Sequence, residues 1–119
     1  MLIDERMRNL AKLLDVSELR AAVHAGNIAN QNTPGYKARA VAFEDAFRQE
    51  LDRRGGDAAR QLQPTVYQPE NTAVDNDGND VSMVHEVSQS TQNNMLYASY
   101  VAMMRGKFRV LTTAISGGA

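Results

Sequence analysis

Apolar or small side chains recur at Ile3, Met7, Leu10, Leu14, Ser17, Ala21, His24 and Ile28, in steps that alternate four and three. That is heptad spacing, and it predicts a helix over residues 3–31 with one buried stripe. Asp4 and Glu5 stand near its start, where the helix dipole favours negative charge. Pro34 cannot continue the helix and pushes Thr33 toward extended geometry. Pro34 and Gly35 then suit the two central positions of a type II turn. The second stripe is longer: Met83, Val87, Ser90, Asn94, Tyr97, Val101, Met104, Phe108, Leu111 and Ile115 keep the same rhythm without a break. It predicts a helix over residues 81–116, roughly 50 Å long at 1.5 Å per residue. Asp80 is the expected N-cap, and Gly117 with Gly118 the stop.

Residues 36–80 join the two helices. Phe43, Phe47 and Leu51 are spaced by four, which predicts a short amphipathic helix over 43–53 stopped by Gly55 and Gly56. Pro64, Pro69 and the polar run over residues 70–80 follow. Residues 61–66 and Val74 offer weakly alternating extended segments, so the connector reads as loop with a short helix or a hairpin.

The expected architecture is therefore all-α: an elongated coiled-coil hairpin of two terminal helices, within one domain. Residues 1–35 form the first axial helix and its turn, 36–80 the loop-rich connector, and 81–119 the second axial helix. Each large apolar side chain that such a seam buries contributes about 1.5–3 kcal/mol. Ser17, Ala21 and His24 on the first stripe, and Ser90 and Asn94 on the second, weaken an isolated pair. They also fix register or let a neighbouring backbone approach. Gly26 and Gly106 lower helix propensity for no local gain. The pattern describes a hairpin completed by neighbours, its stripes buried against each other and against adjacent chains.

Composition narrows the function classes. The chain has 119 residues, 43% hydrophobic and 6% aromatic, without tryptophan. That is apolar enough to fold yet poor in the rings that fill compact cores. Thirteen basic and 14 acidic residues leave a net charge of −1, so no basic excess exists to hold nucleic acid or anionic lipid. Arg53 and Arg54, and Arg105, Lys107 and Arg109, read as solvated faces. Cysteine is absent, which removes disulfides, thiolate nucleophiles and cysteine-based zinc sites. The opening residues place Asp4 and Glu5 where a signal peptide needs basic charge, with no apolar stretch after them. Charges or amides interrupt every run long enough to be considered for membrane insertion.

The catalytic and metal-binding patterns that come to mind fail on spacing. A calcium loop with Gly78 sixth would need an acid at Ala73 and a Glu at Val84. A polar turn leading into a helix is the better reading of residues 75–80. His85 and Glu86 do not start a zinc-protease motif, because Gln89 stands where the second His belongs. His24 and His85 have helix-surface or seam roles, and Met83, Met95, Met103 and Met104 fill gaps between helices. Asn27, Asn30, Asn32, Asn93 and Asn94 stand out as amides that either cap helix ends or lie buried between subunits and set register.

The run Asn27, Ile28, Ala29, Asn30, Gln31, Asn32, Thr33, Pro34, Gly35, Tyr36, Lys37, Ala38 resembles the N-terminal motif of the flagellar rod, hook and hook-associated axial proteins. In that family Asn-Ile-Ala-Asn is followed by two variable positions, a turn and an aromatic. The far end resembles the family's other block: Asp77, Gly78, Asn79, Asp80 and Val81, then Glu86, Asn94, Tyr97, Lys107, Phe108, Leu111, Ala114 and Ile115. The short length, the uninterrupted run from Thr33 to Ala38 and the Asp-Gly-Asn before the last helix are most similar to the proximal rod proteins of type B, with type C the alternative. Ser82 departs from the pattern, which has an acid there.

The resemblance implies a structural subunit of the basal-body rod, not an enzyme, with no cofactor and no metal. It implies helical packing against copies of itself and other rod proteins, and contact with MS-ring, export-gate and basal-body adaptor proteins. It implies passage through the flagellar type III export apparatus without a cleaved signal, to a periplasmic position in the rod. No nucleic acid and no direct membrane insertion are expected. The packing positions it singles out are Leu10, Leu14, Asn27, Ile28, Asn30, Pro34, Gly35, Tyr36, Val87, Asn94, Tyr97, Val101, Met104, Phe108, Leu111 and Ile115. From the residues alone, a soluble coiled-coil adaptor or export chaperone fits the same stripes.

Overall fold

The computed structural model describes residues 4–117. Stripe position Ile3 and stop residue Gly118 lie outside them. The order is α1 (Glu5–Ala29), β1 (Ala40–Ala42), α2 (Glu44–Arg54), α3 (Gly56–Arg60), β2 (Thr65–Tyr67) and α4 (Met83–Ser116). The protein is mostly helical, with two long terminal helices, as the heptad patterns require. It measures 68 × 29 × 14 Å with a radius of gyration of 18.2 Å, against about 13.5 Å for a compact chain of this length.

Local chemistry sets the helix ends. Asp4 caps α1 by accepting from the Met7 amide at 2.9 Å. The expected turn closes behind it: Tyr36 N donates to Thr33 O at 3.2 Å, and Gly35 takes φ +76°. Two expectations are corrected. Ser82, not Asp80, caps α4, through the His85 amide. A hydroxyl replaces the acid of the family pattern and still serves as a cap. Gly56 does not end a helix but starts α3, because Gly55 at φ +89° makes the corner between α2 and α3 alone.

The connector is ordered and holds the apolar core. Val16 of α1 packs with Val41, Phe43, Phe47 and Ala59, and Leu13, Leu19, Val23, Leu51 and Leu62 complete the cluster. Phe43 and Phe47 stack at 5.1 Å between ring centroids. The strands are not a local hairpin: antiparallel β1 and β2, with Val41 opposite Val66, close a loop around α2 and α3. Arg20 on α1 pins this unit through Glu44 and the Val41 carbonyl.

α4 lies against the other side of α1. Lys107 meets Asp4, Asn93 meets Ser17, and Glu86 meets His24 and Asn27, so the helices run antiparallel. Residues of α4 beyond Lys107 run past the level of the Asp4 cap. This contact differs from the expected apolar seam. The fully buried residues of α4 are Glu86 and Asn93, and they face Ser17, His24 and Asn27. Of the expected stripe, Met83, Ser90, Val101, Met104 and Leu111 are half-buried, whereas Val87, Asn94, Tyr97, Phe108 and Ile115 are exposed. The reason is a rotation by about one residue: Glu86, Asn93, Tyr100 and Lys107, a row seven apart, turn toward α1 and the connector. The apolar stripe thus swings to the flank.

Candidate assembly surface

The two sequence blocks at the ends of the chain meet in one polar knot, where α1 ends and α4 begins. Asn27 is fully buried. Its amide nitrogen donates to Arg39 O at 2.8 Å and Glu86 Oε1 at 2.9 Å, while its oxygen accepts from Arg39 N at 2.9 Å and the Tyr36 hydroxyl at 3.3 Å. One side chain therefore fixes the returning backbone and the first turns of α4 together. Asn30 returns its amide to Gly26 O at 2.8 Å and accepts from Thr33 Oγ1, satisfying groups at the end of the helix.

The Asp-Gly-Asn run is a turn built on Asp75, whose carboxylate accepts from the amides of Asp77 and Asn79. Gly78 at φ +81° turns the chain, and its α-carbon side faces Gly35 closely. Asn79 then donates to the carbonyls of Asn30 and Thr33 at 2.9 and 2.8 Å. Gly35 N donates to Asp77 O, and Ala38 N donates to buried Asp80 at 2.6 Å. Asp80 is thus a clamp on the returning chain rather than a helix cap.

His24 and Glu86 lie side by side, both almost wholly buried, with Nδ1 2.7 Å from Oε2. A single proton between them completes the bond, and Asn27 satisfies the second carboxylate oxygen. This pair was not foreseen, because His24 and Glu86 are 62 residues apart. The available signals were that His24 stood on the α1 stripe and that Glu86 belonged to the second sequence block. Asn27 is buried within the chain itself, and the partners of its side chain are all the chain's own.

The other end of the helix pair is held by charge. The Asp4 carboxyl lies below its ordinary range, first because it accepts from the Met7 amide and further because Lys107 reaches it at 3.2 Å. Glu5 is lowered chiefly by the Arg60 guanidinium, 2.7 Å away, and Arg60 is raised by the same bond. Tyr100 is raised by burial and by nearby Glu44. Between Met7, Leu10 and Leu13 on α1 and Met103, Val110 and Leu111 on α4 runs an apolar groove of about 740 Å³.

The structure thus divides the expected packing positions. Asn27 and Leu10 are buried; Leu14, Ile28, Asn30, Tyr36, Val101, Met104 and Leu111 are half-buried; Pro34, Gly35, Val87, Asn94, Tyr97, Phe108 and Ile115 are exposed. Val84, Met95 and Val110, absent from the expected stripe, also stand in solvent, so bulky apolar groups occupy much of the outer surface of α4. Among the described residues no helix is long and apolar enough to cross a membrane, and no three acids or histidines are grouped to hold a metal.

The two terminal helices thus form an antiparallel pair, knotted at one end and carrying bulky apolar groups on its outer surface. Comparison with known proteins gives its relatives. The chain is 31% identical to the flagellar basal body rod protein FlgB of Bacillus subtilis, over 94% of each chain. It is 27% identical to the protein of that name from Escherichia coli, over 98% of this chain and 96% of the relative. The Aquifex aeolicus protein is 27% identical over 91% and 90%. No family model matches the chain. The chain belongs to the flagellar basal body rod protein FlgB family.

Proposed function

We propose that this chain is a structural subunit of the proximal rod, packing helically through α1 and α4 to build the drive shaft, and that it catalyses nothing. The observation that carries this reading is the outer surface of α4. This 34-residue helix buries Glu86 and Asn93 against its partner helix and leaves Val87, Tyr97, Phe108, Val110 and Ile115 outward. Apolar area of that extent is stabilised by contact with other chains. Residues 1–35 and 81–119 then form the packing body, and 36–80 the clasp that braces it. On this reading its neighbours are copies of itself, other rod proteins, and MS-ring, export-gate and adaptor proteins. Its route is type III export without a cleaved signal, to the periplasmic rod.

The test is incorporation. Ile28→Asp, Tyr97→Asp and Phe108→Asp abolish rod assembly and motility, while Tyr97→Asp and Phe108→Asp leave the isolated chain's circular dichroism unchanged, since both side chains are exposed. Normal motility with all three variants overturns the reading. Purified basal bodies separate it from an adaptor or export chaperone: a rod subunit stays bound in fixed proportion after detergent extraction, and an adaptor is lost.

A further inference from the structure

Asn93 carries the one buried side-chain polar atom left unfinished among the described residues. It lies on the α1 side of α4 and is 3% exposed. Its amide nitrogen donates to Ser17 O at 2.9 Å. Its Oδ1, with under 1 Å² of its own surface open, has no donor among the described residues. Turning the amide over would set its oxygen against the Ser17 carbonyl, so the orientation is fixed by its surroundings. A buried acceptor without a donor costs stability. Ser17 O gains little in return, because a carbonyl inside α1 also accepts the helical bond from four residues on. A leucine of similar volume would leave neither group unsatisfied. The site thus holds an amide where an apolar side chain would serve stability better, which marks a residue kept for geometry.

The geometry it controls is the roll of α4. Glu86, seven residues earlier, fixes α4 at the level of His24 and Asn27. A rod held at one point still swings and rolls. Asn93 is the second point, about 10 Å further along the axis. Past it the ties are weaker: the solvent-facing Lys107 and Asp4 pair, and apolar contact, which has no preferred direction. There is also room to roll. Two hollows of about 180 and 230 Å³ lie against Asn93, between Ala21 and Ala25 of α1 and Ser90, Asn94 and Tyr97 of α4. Turning α4 into them covers the exposed Tyr97 ring, and burial of that ring is favourable. We propose that Asn93 is a positioning residue of the assembly surface: it locks the roll of α4 on α1 and keeps Tyr97 and Phe108 aimed outward, at the expense of stability. This rests on the rod-subunit reading and names the residue that presents its contact surface.

Asn93→Leu in the full chain separates this from a structural role. The urea midpoint of the variant equals or exceeds that of wild type, because no unsatisfied group is left behind. Spin labels on exposed Ala11→Cys and Ala102→Cys give one narrow distance in the wild-type background and a broad one with Asn93→Leu. Incorporation into basal bodies falls although the chain is no less stable. Asn93→Gln keeps the amide, and its extra methylene has room in the hollows, so it restores the narrow distance and the incorporation. A lower midpoint for Asn93→Leu overturns the proposal, since Asn93 is then a stabilising contact. So does a distance that stays narrow, incorporation at the wild-type level, or a glutamine variant that behaves as the leucine one. The rod reading is judged separately. Wild-type chain missing from extracted basal bodies sinks that reading, while the midpoint and the distances, read on the isolated chain, still decide the role of Asn93.

Discussion

α1 has two faces, and opposite chemistry covers them. One face meets the connector through Val16, Leu13, Leu19 and Val23, packed on Phe43, Phe47 and Ala59. The other meets α4 through Ser17, His24 and Asn27, facing Asn93 and Glu86, with Met7 and Leu10 beside Met103 nearer the start of α1. Apolar burial is non-directional and scales with area, so the connector face supplies stability. Buried hydrogen bonds add less net stability but tolerate little misplacement, so the α4 face supplies register. The difference has a consequence for the outer surface. Because α4 turns its polar row inward, its bulky apolar groups are left on the outer surface.

The largest expected effect breaks the connector face. Phe47→Ala removes a buried ring that stacks on Phe43 and closes the space under α2. It costs about 3–5 kcal/mol, measured by denaturant unfolding of the isolated chain. Both long helices lose protection together, because α1 is the shared wall. A loss below about 1 kcal/mol would place the stabilising contacts elsewhere and dissolve the contrast between the faces.

The next effect concerns the polar face. Glu86→Leu leaves one Asn27 N–H and His24 Nδ1 buried without partners, at a cost of about 1–3 kcal/mol. Replacing both partners, His24→Leu with Glu86→Met, removes the buried imidazole but leaves one Asn27 N–H buried without its acceptor, so stability recovers only in part. What changes is register. Because the chain has no cysteine of its own, spin labels on Ala22→Cys and Thr91→Cys report the helix offset cleanly. The wild-type background gives one narrow distance, and the apolar pair broadens it. A distance that stays narrow would move the source of register to the Asn27 and Asn79 knot.

The helices and the turn were legible because their causes are local. Heptad spacing, the acids at the start of α1 and the Pro34 and Gly35 turn act within a few residues, and the structure carries all three. The connector was under-read, since its order depends on Phe43 and Phe47 meeting Val16 of a distant helix. Its strands, three residues each, pair only by enclosing α2 and α3. The seam, read as shared between the partner helix and adjacent chains, was undivided for a different reason. Periodicity assigns apolar residues to the nearest partner and cannot tell a chain's own helix from a neighbour's. Here the stripe and the intramolecular row differ by one residue, and the polar row won inside the subunit. Asp80 was misjudged similarly: as a cap it satisfied a local rule, but the Ala38 amide, 42 residues away, claimed its carboxylate.

The smallest effect compares the two faces at their shared end. Asp4 ties α1 to α4 through Lys107, and the adjacent Glu5 ties α1 to α3 through Arg60. Both carboxyls lie below their ordinary values of 3.8 and 4.5. The folded chain therefore resists protonating them. Their stabilisation is complete above those values and disappears as pH falls through the lower, folded-state ones. Both groups are solvent-exposed, so the contribution is modest and screened by salt. Melting temperatures of wild type and of Asp4→Asn or Glu5→Gln, compared from about pH 6 down to about pH 2, converge in acid. Exchange of α4 amides near Lys107 rises in Asp4→Asn, and that of α3 amides rises in Glu5→Gln. If either substitution loosens both elements equally, the two faces act as one cooperative unit and the division between stability and register does not extend to this end of the molecule.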